Sequence, residues 1–173
     1  MIYLDHAATT PPDPRAIDAM ARCMRECWAN PSAAYALAGE ARGALNRVRR
    51  EIADMLNATP QELLFTSGGT EANNQAVSLA RGGHAVVSAI EHASVLNAAR
   101  ALCREVTLLQ PDKDGRVSPE AVFAAVRPDT RLISVQFANN ETGVIQPVAE
   151  IGAMARARAI CCASALRTAS TPA

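Results

Sequence analysis

Three short stretches place chemistry-bearing side chains where an apolar run gives way to a loop or a helix. The first is Ser67-Gly68-Gly69-Thr70, between the run ending at Thr66 and a helix-like pattern. The first turn of a helix carries unpaired N–H groups and the positive end of the helix dipole. Glycines there let a phosphate reach the backbone, and a hydroxyl adds a donor. No lysine follows the glycines and the spacing is not G-x-G-x-x-G, so neither a Walker A loop nor a dinucleotide fingerprint fits. A tight turn with a Ser or Thr cap accounts for the same residues without an anion. The second stretch, Glu91-His92, closes an apolar run that begins near His84. An imidazole there could stack on a ring or move protons, or serve as an ordinary polar strand end. The third, Asn139-Asn140-Glu141-Thr142, follows the run Arg131 to Phe137. Its amides, carboxylate and hydroxyl are costly to leave unpaired, and a polar loop cap is the plain alternative. All three lie at C-terminal ends of strand patterns, the edge at which α/β sheets bind ligands.

The elements that must position them read as alternating strands and helices. Asp13-Pro14 opens a helix with a cap and a first-turn proline, and Ile17, Met20, Met24 and Cys27 recur at helical spacing. Asn30-Pro31-Ser32 breaks it. A second helix carries Ala41, Leu45, Val48, Ile52 and Leu56 on one face. Thr59 and Glu62 form a capping-box pattern, and Leu63–Thr66 predicts a strand. Helices are expected over about 70–81, 94–103 and 148–158, with a further one opened by Ser118-Pro119. Strands are expected over about 84–90, 105–109 and 131–137. Asp112-Lys113-Asp114-Gly115 is a turn. Strand and helix in turn predict an α/β fold, a mostly parallel sheet flanked by helices. After Arg158 the sequence turns to small residues without a clear period, where an α/β domain should place another strand.

Composition narrows the function classes. The 173 residues suffice for a sizeable core, with 49% apolar and 20% charged residues. Net charge is zero and no basic block stands out, which argues against a nucleic-acid or anionic-membrane partner. No signal peptide or membrane-length apolar segment is visible, so a cytoplasmic location with reduced thiols is expected for the five cysteines. Cys23 and Cys27 share a helix face and are expected to be buried thiols; two sulfurs alone make a poor zinc site, and no metal is expected. Of the 17 basic residues, only Lys113 is a lysine.

Taken together, "YLDHAATTP" at 3–11, "NPS" at 30–32, "FTSGGTEANN" at 65–74, "EH" at 91–92 and "ANNETG" at 138–143 strongly resemble the cysteine desulfurases. These are class V aminotransferases of the pyridoxal-phosphate fold type I group, and the motifs have the form of the iron–sulfur-cluster and nitrogen-fixation branch. The resemblance covers about residues 2–160; one departure is Tyr35, where histidine is common. It implies that Gly69 and Thr70 hold the phosphate of pyridoxal 5'-phosphate. His92 would stack on the ring and take a catalytic part in proton transfer, and Asn140 would lie beside the ring hydroxyl and the substrate carboxylate. It further implies L-cysteine as substrate, alanine and an enzyme persulfide as products, a sulfur-acceptor or iron–sulfur scaffold protein as partner, and a homodimer.

The same resemblance predicts elements that are missing. The family continues with a strand reading H-x-D-x-x-Q; counted without gaps from Asn140, its positions fall on Ala163, Ala165 and Thr168. The Schiff-base lysine and the persulfide cysteine of the family have no counterpart in this sequence. Lys113 sits in a polar turn, and Cys161 and Cys162 lie in a tail unlike the family. The expected layout is therefore an N-terminal segment (1–14), the N-terminal part of an incomplete cofactor-binding domain (15–160) and a divergent tail (161–173), read as frameshifted or truncated. The chain alone is expected to be inactive. Two other readings stay open: a non-catalytic partner of a full-length subunit, and part of another class V enzyme such as a selenocysteine lyase or an aminotransferase.

Overall fold

A computed structural model of the chain describes residues 2–6 and 9–164. The chain divides into two units, Thr9–Phe65 and a second made of the N-terminal residues with Thr66 onward.

The second unit holds a four-stranded, all-parallel sheet in the order β2-β1-β3-β4. Its strands are β1 (His84–Ser88), β2 (Glu105–Leu109), β3 (Thr130–Ser134) and β4 (Cys161–Ala163). The helices of this unit are α3 (Gly69–Ser78), α4 (Ala93–Leu102), α5 (Pro119–Ala124) and α6 (Val148–Ala157). Side chains alternate across a strand, and the core divides accordingly. Ala85, Val87 and Leu132 pack with Val77, Ala80, Val95, Ala98 and Ala99 from the α3–α4 side. Val86, Ile133 and Val135 pack with Val117, Val122, Ile151 and Ala155 from the α5–α6 side. All five β1 residues are buried, as expected of a central parallel strand covered on both faces. His84 joins this core because both ring nitrogens are paired, Nδ1 with Thr130 Oγ1 and Nε2 with Thr107 Oγ1, each at 2.8 Å. The parallel α/β sheet anticipated from the alternating pattern is thus present.

The tail departs from expectation. Cys161–Ala163 pairs with Leu132–Ser134 as a parallel strand, although its sequence showed no period. A three-residue strand needs only ladder partners, and the free edge of β3 supplies them. Cys161 is half-buried and Cys162 exposed. Ala163 lies in this strand, whereas Ala165 and Thr168 fall outside the described residues.

The unit Thr9–Phe65 consists of α1 (Pro14–Glu26), α2 (Ala36–Met55) and a 3₁₀ turn at Pro60–Glu62. Asp13 caps α1 by accepting from the Arg15 N–H at 2.8 Å. Glu62 accepts from the backbone N–H and the hydroxyl of Thr59, at 2.7 and 2.8 Å. The buried hydrophobic residues of this unit are all alanines: Ala29, Ala38, Ala41 and Ala53. Two expectations fail here. Cys23 is exposed and Cys27 only half-buried, because α1 has no buried residue at all; Met24 beside them is 72% exposed. Leu63–Thr66 is not a strand. Leu63 is extended, but no ladder partner lies beside the segment among the described residues, and a strand exists only by pairing. Arg49 instead donates to the Leu63 carbonyl at 2.5 Å, with its guanidinium 4.8 Å from the Phe65 ring centre. Leu45, Val48 and Leu56 of the predicted α2 face are likewise exposed.

Candidate functional site

Gly69 and Thr70 form the first turn of α3, and Gly68 is its cap residue. Gly68 has no side chain, so no side-chain oxygen caps the helix and its first-turn N–H groups keep their polarity. A Cβ at Gly68 or Gly69 would meet nothing within 4 Å, so the backbone here is open to an approaching group. The loop is braced from one side: the Glu71 carboxylate accepts from the Ser67 N–H and the Ser67 hydroxyl, both at 2.7 Å. Those two bonds hold the Glu71 carboxyl below its ordinary range, the backbone one most strongly. The Thr66 hydroxyl donates to the Gly68 carbonyl at 3.2 Å.

His92 directly precedes α4 and is its N-cap: Nδ1 accepts from the Ser94 N–H at 3.2 Å. The Ser94 hydroxyl meets the same nitrogen at 2.7 Å. Asn73 on α3 donates from Nδ2 to Ser94 Oγ at 2.9 Å. A chain of hydrogen bonds therefore joins the helix that starts at Gly69 to the His92 ring.

The 139–143 loop is organised by Asn139. Its Oδ1 accepts from the Glu141 and Thr142 N–H groups at 2.9 Å and from the Thr142 hydroxyl at 3.2 Å. Gly143 closes the turn in the left-handed region at φ 74°, with its N–H on the Asn139 carbonyl. Asn140 is left exposed at the loop tip. The loop is tied to the His92 segment through the Ile90 carbonyl, which accepts from Gln136 Nε2 at 2.6 Å and Asn139 Nδ2 at 3.5 Å. Gly69, Thr70, His92 and Asn140 are thus carried by segments joined through Asn73–Ser94 and through Ile90.

The sequence pattern assigned no role to Asn73, Ser94 and Gln136, which make these joints, and marked Asn139 only as part of a polar strand end. It also missed the burial of Glu91, which is 6% exposed. One Glu91 oxygen takes the Ser134 hydroxyl at 3.2 Å, and Oε2 has no hydrogen-bond partner among the described residues. Burial pushes its pKa up to about 7 against the partial counter-pull of Ser134 and of the Gln136 and His92 N–H groups. The Asn73–Ser94 pairing spans 21 positions, which no local pattern reveals. Lys113 is exposed in the Asp112–Gly115 turn, whose Asp112 Oδ1 accepts from the Asp114 and Arg116 N–H groups at 2.9 Å. Among the described residues no group of His, Cys, Asp and Glu side chains could hold a metal ion, and no helix is long and apolar enough to cross a membrane.

Residues 2–165 match the family Aminotransferase class-V, and the chain belongs to it. Its relatives within that family include cysteine desulfurases. The cysteine desulfurase IscS of Anaeromyxobacter sp. (strain K) is 45% identical over 165 residues, covering 90% of this chain and 41% of that protein. The IscS of Azotobacter vinelandii is 41% identical over 171 residues, covering 92% and 42%. Among solved structures, SspA in complex with cysteine superposes with a TM-score of 0.89 at 36% identity, over 95% of this chain and 50% of that one. A NifS-like protein gives 0.87 at 30% identity, over 96% and 49%. The chain therefore spans about two-fifths of the length of these curated relatives and about half of these solved chains.

Proposed function

We propose that this chain carries the phosphate-holding wall of a pyridoxal-phosphate site of the cysteine desulfurase kind, without the groups that complete it. The observation that carries the reading is the hydrogen-bonded junction of α3, His92 and the 139–143 loop at one edge of the sheet. The uncapped, sterically open start of α3 suits a phosphate. The Gly69 and Thr70 N–H groups would hold it, His92 would lie against the ring, and Asn140 would meet a polar substituent of ring or substrate. When bound, pyridoxal phosphate supplies an electron sink for chemistry at the α-carbon of an amino acid. In the whole protein the substrate would be L-cysteine, and the sulfur would pass to an acceptor used in iron–sulfur cluster or thio-cofactor synthesis. A soluble homodimer in the cytoplasm is the assembly this reading expects.

The one lysine of the sequence, Lys113, is exposed in the Asp112–Gly115 turn and makes no hydrogen bond to the His92 segment among the described residues, so it is not expected to anchor the cofactor covalently. The chain by itself is therefore proposed to bind without turnover. Incubation with pyridoxal phosphate and L-cysteine, followed by assays for sulfide and alanine, tests this. The expected result is no release above that of the free cofactor. Release above it, with a borohydride-reducible adduct at Lys113, would refute the proposal.

A further inference from the structure

Asn73, near the end of the 65–74 motif, and Ser94, outside the motifs, control the ring that this site presents. The Ser94 backbone N–H can only donate, so the nitrogen it meets, His92 Nδ1, must accept. The Ser94 hydroxyl lies closer to the same nitrogen, at 2.7 Å. Asn73 Nδ2 donates into Ser94 Oγ from α3, leaving the hydroxyl proton to point at the ring. Two donors converge on Nδ1, and in a neutral imidazole the proton then resides on Nε2. No hydrogen bond reaches Nε2 among the described residues, in contrast to His84, whose two nitrogens are both paired.

We infer that Asn73 and Ser94 are positioning residues that fix His92 as the Nε2–H tautomer. The ring then offers its site a hydrogen-bond donor rather than a lone pair. This rests on the functional reading above only for its purpose, since the tautomer is a property of the chain itself. It also implies a preference in what the ring meets: an acceptor atom, such as a phenolate or carboxylate oxygen, rather than a donor such as an ammonium group. To accept a proton at Nε2, the ring would first have to move its own proton onto Nδ1, against both Ser94 donors.

The test is nitrogen NMR of the full chain at about pH 8.5 with ¹⁵N-labelled histidine. The chain has three histidines, and His84 serves as an internal report on an intact core. The wild type is expected to show an unprotonated Nδ1 and a protonated Nε2 at His92. Ser94→Thr, which keeps both donors, should match it. Ser94→Ala removes the nearer donor and should lower the Nε2–H to Nδ1–H ratio about fivefold, the weight of one ordinary hydrogen bond. Asn73→Asp should shift the ratio the same way, because its carboxylate would draw the Ser94 hydroxyl proton to itself. A wild-type ring protonated on Nδ1, or averaged between tautomers, would overturn the inference. So would unchanged ratios in both Ser94→Ala and Asn73→Asp. Should Ser94→Ala lose the His84 signature, Asn73→Asp and Ser94→Thr decide the matter. Pyridoxal-phosphate binding measured on the same samples separates the outcomes: lost binding with the expected tautomer sinks the functional reading alone.

Discussion

Replacing Glu91 by glutamine should stabilise the sheet unit, and more so as pH rises. Glu91 is almost fully buried, one oxygen takes the Ser134 hydroxyl, and its second oxygen has no hydrogen-bond partner among the described residues. Its carboxyl is pushed up from 4.5 to about 7, chiefly by burial. The folded state thus holds this proton more tightly than the unfolded chain does. The stabilisation is fully present below about pH 4.5 and is lost as pH rises toward and through 7. Each tenfold change in proton affinity is worth about 1.4 kcal/mol, so the loss amounts to roughly 3 kcal/mol at most. Glutamine has the shape of the protonated acid and no proton to lose. The assay is urea unfolding of wild type and Glu91→Gln between about pH 4.5 and 8.5, followed at the Val86 and Ile133 amides. The variant's advantage should grow from near zero to the order of 3 kcal/mol. A difference that stays flat with pH, or favours the wild type at alkaline pH, would refute the claim that Glu91 is a neutral buried acid.

Other outcomes follow from the same structure. His84 is held below its ordinary value by burial first and then by the nearby Arg127 charge. Its share of stability is therefore intact above about pH 6.5 and lost as pH falls, and in Glu91→Gln it should leave an acid-side decline that His84→Gln reduces. Leu132→Ala, at a fully buried β3 position, should cost about 2–5 kcal/mol in urea unfolding. Asn139→Ala removes three hydrogen bonds that shape the loop, and the Thr142 amide should exchange at least tenfold faster while Val86 is unchanged.

Much of the sheet unit was readable from the sequence because its signals are local. The run His84–Ser88 between glycines and a polar pair marks a buried strand, and Ser118-Pro119 marks a helix start. Gly68-Gly69-Thr70 was legible as the start of a helix, which α3 makes. What failed depends on what lies alongside. Leu63–Thr66 has a strand's composition but no neighbour to pair with among the described residues, and β4 has a neighbour but no strand composition. The α1 periodicity gave an apolar face, yet periodicity says nothing of what covers it, and Cys23 is exposed. At the candidate site, the sequence singled out side chains by type, whereas three of the residues that join their segments carried no signal. Asn73, Ser94 and Gln136 look like ordinary polar positions until the fold brings them to His92 and Ile90.

The start of α3 is proposed to hold a cofactor phosphate, with no covalent tether from Lys113. Calorimetric titration of the chain with pyridoxal phosphate, and in parallel with pyridoxal lacking the phosphate, tests it most directly. Saturable, reversible binding of the phosphorylated form only is expected, lost on desalting and abolished by Gly69→Asp, which sets a carboxylate at the open helix start. Equal binding of both forms, or binding untouched by Gly69→Asp, would contradict it.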